Sequence, residues 1–412
     1  MIRARRARLT EENAMAIKAL IAASLAATLT LGTANTAWSQ TIKIGVVNTL
    51  SGGSATLGEM IEKGYKLYLK LHENSLPPGI KLEFIVRDDG GPNPDNAKRL
   101  AQELIVRDRV QLLTGLAFSP NAAAVAPLAA EAKLPVFIMN AGTSAITTLS
   151  PYVSRYSFTL WQSCLPLGEW AAKKFKRVYT AVSDYGPGHD CEAAFVKGYK
   201  DNGGELAGSV RMPVSSPDFV PFMLRVKDAK PDAVMGFIPA GRQATAIMKA
   251  YGDLGLDKAG IKFIGPGDIT TDEELPNMGD VPLGVLTVHH YSAAAERPAN
   301  KAFVAAWKKE YGEKTWPSFM SVGGWDAMDA IFHVIRVQNG RIDPDKTMQL
   351  VKEYKNANSP RGPISIDPDT RDIVQNIYLR EVRRVGGALA NVELETIATA
   401  VKDPWKEINK KK

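Results

Sequence analysis

The chain has 412 residues, 45% hydrophobic and 23% charged, ordinary globular proportions with length enough for two domains. Its formal net charge is +7, of which the first 39 residues carry +3 through Arg3, Arg5, Arg6, Arg8 and Lys18 against Glu11 and Glu12. The remaining charge of about +4, spread over so long a chain, argues against a nucleic-acid partner, and Lys410-Lys411-Lys412 read as a solvated tail.

Residues 1–39 have the three parts of a secretory leader. Arginines come first, then the apolar run ALIAASLAATLTL over 19–31, too short to span a bilayer comfortably. Small residues follow, with Ala37 and Ser39 at the −3 and −1 positions before Gln40. MAIK at Met15, followed by the same run, is a complete signal by itself, so translation starts at Met1 or Met15. No cysteine stands at the cleavage point, which argues against a lipoprotein, and Arg5-Arg6 lack the usual twin-arginine context. No other segment is apolar for long enough to cross a membrane. The expectation is a periplasmic protein with its leader removed. In that oxidising compartment Cys164 and Cys191 either pair or stay as two buried thiols.

From residue 41 the pattern is strand, loop, helix, repeated. TIKIGVVNTLSGG over 41–53 predicts a buried strand ending in a Ser-Gly-Gly turn, with a helix over 58–71. LEFIVRDD (82–89) alternates with period two and predicts the second strand. Asp95 is expected to cap a helix running to Arg107. VQLLTGL (110–116) is the third strand, 121–132 a helix and PVFIMN (135–140) the fourth strand. After a break at 158–166 the grammar restarts: strand 177–184, helix 188–202, strand 204–213, short helix 219–227, strand 232–238, helix 242–254, strand 261–267 and strand 285–291. Long helices follow at 300–311 and 322–337, then Pro-containing chain. PISID (363–367) and DIVQNIYLREV (372–382) read as a hairpin-like pair. The fold class is α/β, with two similar Rossmann-like lobes of parallel sheet flanked by helices. The late helices return the chain to the first unit and then to the second.

Catalytic chemistry finds little support. His189 neighbours Asp190 and Cys191 in sequence, which leaves a Cys-His nucleophile pair conceivable, but sequence neighbours need not converge in space and a surface histidine at a helix start is the favoured reading. His289-His290 on a strand point to opposite faces and cannot both ligate one metal simply. Asp88-Asp89 alternate likewise, and close the second strand and its turn. Five His and two Cys form no zinc spacing. SGGSATLGE lacks the Gly-Lys-Ser/Thr of a P-loop, and no G-x-G-x-x-G follows a strand. No cofactor and no metal are expected.

The order and spacing of IGVVNTLSGGSATLGEMIEKGYKL, RDDGGPNPDNAKRLAQEL, TGLAFSPNAAAVAPLAAEAKLPVFIMNAGTSAIT, SDYGPGHDCEAAFVKGYKDNGGEL and PRGPISIDP resemble periplasmic substrate-binding proteins of the branched-chain amino acid type. The resemblance runs from Thr41 to the last strands. It implies a type I periplasmic binding fold: two lobes joined by three crossover segments, with ligand in the cleft and hinge closure around it. The expected organisation is leader 1–39, first lobe 40–160 with 290–358, and second lobe 161–289 with 359–412. Carried over by motif, the first lobe's carboxylate-binding loops are Phe118-Ser119 and Ala141-Gly142-Thr143. Each leaves a strand and enters a helix, so its free N–H groups and hydroxyls suit an anion. Leu57 lies beside them, where many relatives carry an aromatic. Tyr185 matches the second lobe's aromatic, and Trp161, Phe118 and Tyr185 offer apolar walls or ordinary packing at the junction.

One departure bears on the ligand. Amino-acid binders of this family place an acid after Gly-Pro to pair with the α-ammonium. Here the stretch is Gly265-Pro266-Gly267-Asp268, with Gly267 in the acid's place and Asp268 one residue on. A buried ammonium without a negative partner is costly. The resemblance therefore implies a receptor for a small carboxylate-bearing ligand, an organic or aromatic acid rather than an amino acid, delivered to an ABC importer permease. An amino-acid or amide binder of the same family and a secreted α/β enzyme are the alternatives. Absence of a membrane helix or signalling domain after the lobes favours a free receptor over a sensory ectodomain, and a monomer is expected.

Overall fold

The structure is a computed structural model that describes residues 14–15, 40–214 and 218–410; the leader expected over 1–39 therefore lies outside the described residues, save 14–15. Two sheets organise the rest. The first has the order β2-β1-β3-β4-β5, built from β1 (Gln40–Asn48), β2 (Ile80–Asp88), β3 (Leu112–Gly115), β4 (Val136–Ile138) and β5 (Val153–Arg155). β1 pairs parallel with β3, β3 with β4 and β4 with β5. Ile42, Ile44, Val46 and Val47 of β1 are fully buried, which is why this strand reads as a continuous β-branched run. Each such side chain stabilises the fold by about 1.5–3 kcal/mol.

The second sheet is larger. Its parallel part is β6 (Arg177–Ser183), β7 (Glu205–Met212), β8 (Ala233–Phe237), β9 (Lys262–Pro266) and β10 (Leu286–His289). β13 (Ile373–Val385) adds antiparallel to β10, and β12 (Ile364–Ile366) antiparallel to β13, the pair expected from PISID and DIVQNIYLREV. Two strands went unread. β11 (Lys355–Asn356) pairs with β12, and β14 (Ala388–Val401) pairs along β13. The β13–β14 turn is Gly386-Gly387, both at positive φ, the two-residue glycine hairpin signal.

Helices connect the strands: α1 (Ala55–His72), α2 (Pro94–Val106) and α3 (Ser119–Ala132) in the first layer, then α4 (Leu160–Ala172), α5 (Gly186–Asp201), α6 (Val220–Ala229) and α7 (Arg242–Asp253), and later α8 (Pro298–Tyr311), α9 (Phe319–Val337), α10 (Pro344–Glu353) and α11 (Pro404–Ile408). The break expected at 158–166 is mostly α4. Thr159 and Gln162 form a capping box that starts it, and the helix continues through Pro166. The α2 cap is Asn93, whose side chain accepts from Asn96 N, with Pro94 next; Asp95 sits in the first turn, where its charge favours the helix N-terminus. α10 was missed because its Pro344 reads as a breaker, whereas Pro suits the first helical position after an Asp343 cap.

The chain passes from the first sheet to the second after β5. It returns after β10, so that α9 packs on α1, and passes back through β12 and β13. The α1–α9 crossing is close: a Cβ on Gly64 would lie 2.0 Å from the Ser321 carbonyl oxygen, and one on Gly324 2.4 Å from that of Ile61. The second lobe repeats the device at α4–α5, with Gly168 and Gly198. There Cys164 and Cys191 are joined by a disulfide, Cα to Cα 5.2 Å.

Candidate ligand-binding cleft

The carboxyl ends of both parallel sheets face one another across a narrow chamber. From the first sheet come Leu57, Ala117, Phe118, Ser119, Asn140 and Gly142; from the second, Tyr185, Pro187, Phe237, Pro239, Ala240 and Asp268; Phe158 and Leu160 stand where the chain crosses. Of the sequence-derived candidates, Leu57, Phe118, Ser119, Gly142, Tyr185 and Asp268 are brought together here. Ala141, Thr143 and Gly267 are chain neighbours of lining residues but do not themselves line the chamber, and Trp161 is buried beside Asp190 instead. Asn140, Phe158 and Phe237 were missed. Phe237 ends β8 and Asn140 lies two residues beyond β4, both at the carboxyl edge, a position that could have marked them.

Local structure explains the first wall. Phe118 is extended and Ser119 opens α3, with Pro120 next. The Ser119 hydroxyl accepts from Thr143 N at 3.1 Å and so ties the two loops together. Asn140 Nδ2 donates to the Ala117 carbonyl at 2.8 Å, leaving its Oδ1 buried and unpartnered. On the opposite wall Tyr185 precedes α5, again with Pro in the first turn, and its ring stacks on Phe237 with centroids 6.1 Å apart. Two helices thus begin at the chamber, one from each lobe, and their positive ends favour an anion. Among the described residues no Lys or Arg lines it.

Gly267 explains the missing acid. A Cβ there would lie 2.4 Å from His289 Cδ2 and 2.5 Å from Arg380 Nη2. The space a side chain would take is filled by an imidazole and a guanidinium. Arg380 is buried and donates to Thr287 Oγ1 and the Tyr291 carbonyl. Asp268 stands in the second wall: it is 5% exposed, and its Oδ2 has no hydrogen-bond partner. Burial pushes its carboxyl up to about 7, which Arg380 partly opposes. Burial, and then Asp268 nearby, raises the Tyr185 hydroxyl well above its ordinary value.

His289 and His290 do not diverge as a strand would require. β10 ends at His289, and the two rings lie 4.2 Å apart, packed around Phe158 and Phe319. Burial first lowers both imidazoles well below their ordinary value; Arg380 and Arg361 add to this at His289, and His289 followed by the two arginines at His290. Among the described residues no group of three or more His, Cys, Asp or Glu could hold a metal. Asp88 and Asp89 close loops: Asp88 accepts from Leu50 N and Gly90 N, and Asp89 from Thr49, Gly91 N and Asn121. His189 is an exposed partner of Asp184 at 2.7 Å.

The lobes touch around the chamber. Ser144 N donates to Asp190 Oδ2 at 2.9 Å, Thr143 packs on Gly186, and Leu57 lies beside Gly241. A separate, wider pocket of about 500 Å³ is edged by Ser54, Gly91, Arg242 and Gln243, the chain neighbourhood of Leu57 and Gly241. Behind the loops, Arg155 donates to the carbonyls of Thr143 and Phe158 and pairs with Asp372 at 2.9 Å. Lys406 of α11 pairs with the same carboxylate.

Two α/β lobes that close on a chamber at their strand ends, linked by three passages of chain, define a solute-binding receptor. The chain belongs to the periplasmic binding protein family, whose model matches residues 41–388. It is 41% identical to Leu/Ile/Val-binding protein homolog 6 of Brucella melitensis, over 93% of this chain and 96% of that one. A solute-binding protein of an ABC transporter from Rhodopseudomonas palustris BisB5, solved with 3,4-dihydroxybenzoic acid, shares 50% identity at a TM-score of 0.85, covering 89% of this chain and 99% of that one. Another from R. palustris, solved with 4-hydroxybenzoate, shares 44% at 0.84, covering 88% and 98%.

Proposed function

We propose that this protein captures an aromatic carboxylic acid in the periplasm and delivers it to the permease of an ABC importer. The observation that carries the reading is the chamber's composition. Phe118, Phe158, Tyr185 and Phe237 supply flat apolar surface, which suits a ring. The anion is met by neutral donors at the start of α3, with Ser119 and the Ala141-Gly142-Thr143 loop holding the carboxylate. Gly267 withholds the acid an α-ammonium would need, because Arg380 and His289 occupy its side-chain space. The two R. palustris proteins that bind hydroxylated benzoates support the same ligand class. The lobe division is 40–160 with 290–358 and 161–289 with 359–412, the receptor is a monomer, and the mature chain begins at Gln40.

Calorimetric titration with benzoate, 4-hydroxybenzoate, 3,4-dihydroxybenzoate, leucine, valine and glutamate tests this. At least one benzoate is expected to bind near micromolar, about −8 kcal/mol, and the amino acids at least about tenfold more weakly. Tighter binding of leucine than of every benzoate would overturn the reading.

A further inference from the structure

Among the described residues Asp268 is the one acidic side chain in the chamber wall, and nothing in the carboxylate grip uses it. It opens the short turn Gly267–Thr270 after β9. Its Oδ2 is buried without a hydrogen-bond partner, a costly state unless a ligand donor completes it. Arg380 lies behind the turn and bonds to Thr287 Oγ1 and the Tyr291 carbonyl rather than to Asp268. The free oxygen is therefore a ready acceptor on the lobe opposite Ser119.

Resting on the aromatic-acid reading above, we propose that Asp268 accepts the ring hydroxyl of a phenolic acid and that this bond makes the receptor select ring-hydroxylated acids over the unsubstituted one. Three features select a phenol as the donor. The two polar grips sit on opposite walls, Ser119 at the start of α3 and Asp268 after β9. A ring with a carboxylate at one end and a hydroxyl at the other presents two polar ends held apart by a rigid spacer. An α-amino acid carries both charges on one carbon. An ammonium also brings three N–H donors, each needing an acceptor; among the described residues, the fully buried lining acceptors left without a partner are Asp268 Oδ2 and Asn140 Oδ1, from different lobes. A phenol needs one. Finally, Tyr185 and Phe237 stack next to Asp268, so the approach to its carboxylate is an aromatic wall that suits a ring face better than a hydrated cation. Burial keeps the carboxyl's proton affinity high, and Arg380 offsets the charge when it ionises, so an acid in the wall does not bar an anionic ligand.

The test titrates wild type, Asp268→Asn and Asp268→Ala with 4-hydroxybenzoate, 4-fluorobenzoate, benzoate and phenylalanine. Wild type is expected to bind 4-hydroxybenzoate at least about tenfold more tightly than benzoate or the fluoro acid, the range for a hydrogen bond to a charged group. Asp268→Ala should lower that ratio at least about fivefold, and Asp268→Asn, which keeps an oxygen acceptor, should lower it less. Equal losses for hydroxylated and unsubstituted acids would make Asp268 a structural residue and overturn the proposal. So would a wild-type ratio near one, which needs no variant and decides the matter even where Asp268→Ala does not fold. If phenylalanine binds more tightly than every benzoate and Asp268→Asn abolishes this, Asp268 is an ammonium partner, and the aromatic-acid reading falls with it. Benzoate binding with no hydroxyl preference defeats this proposal alone.

Discussion

Gly267 and Ser119 show how single residues set the chamber's chemistry. Gly267 has no room for a side chain: its Cβ position lies 2.4 Å from His289 and 2.5 Å from Arg380. Gly267→Ala is therefore expected to cost roughly 1–3 kcal/mol of stability, the range for overpacking, read as a lower melting temperature. Unchanged melting would mean that the turn shifts freely. Ser119→Ala removes both the acceptor for Thr143 N and a hydroxyl that lines the chamber. It is expected to weaken binding by roughly 1–3 kcal/mol with little effect on melting; unaltered affinity would move the carboxylate grip elsewhere. Phe118, Ser119 and Tyr185 were legible through the family resemblance, whose motifs place each of them after a strand in a strand-loop-helix unit. Asn140 and Phe237 were not, because their own segments read as strand core, and only the way the strands end turns them toward the chamber.

At the scale of elements, α4 and α5 form the second lobe's tightest helix pair, and the disulfide staples them across a sequence separation of 27. In the chain-entropy account a loop of that length is worth about 3.5 kcal/mol. The double substitution Cys164→Ser with Cys191→Ser is expected to lower denaturant stability by about that order. A loss under about 1 kcal/mol would mean that close helix packing alone holds the pair. α5 also reaches the other lobe through Asp190, which accepts from Ser144 N. Burial pushes the Asp190 carboxyl up to about 6, against an unfolded value near 4. The native state thus holds the proton more tightly. Asp190's contribution is full below about pH 4 and is lost as pH rises through 6. Asp190→Asn keeps an acceptor without the titration. Wild type is expected to lose on the order of 1–2 kcal/mol relative to that variant between pH 4.5 and 7.5. Parallel pH profiles for the two proteins would remove Asp190 from the pH response.

For the molecule as a whole, ligand must reach a chamber closed by contacts between lobes: Thr143 on Gly186, Leu57 beside Gly241, Ser144 with Asp190. Its free volume of about 20 Å³ holds little more than one water. The lobes are therefore expected to part to admit a ring, by bending where the chain crosses between them. Small-angle scattering is expected to show a smaller radius of gyration with 4-hydroxybenzoate than without it, and no change under saturating ligand would count against an interlobe site. The alternation of strands and helices, the hairpin-like late pair and the loops at strand ends could all be read along the chain, because burial periodicity and turn chemistry are local. The course of α4 through Pro166 and the meeting of His289 with His290 could not, because α4 packs on β9 and β10 about a hundred residues on and the two histidines pack on Phe158 more than a hundred residues back. β14 is different: it pairs with its hairpin neighbour β13 across Gly386-Gly387, a local signal that went unread. The same holds at the site. Gly267 could be seen to lack a carboxylate, but that Arg380 and His289 fill the space, and that Asp268 is left with a free oxygen in an aromatic wall, follows from β10 and β13 lying side by side. Contact between distant segments is what no local pattern encodes.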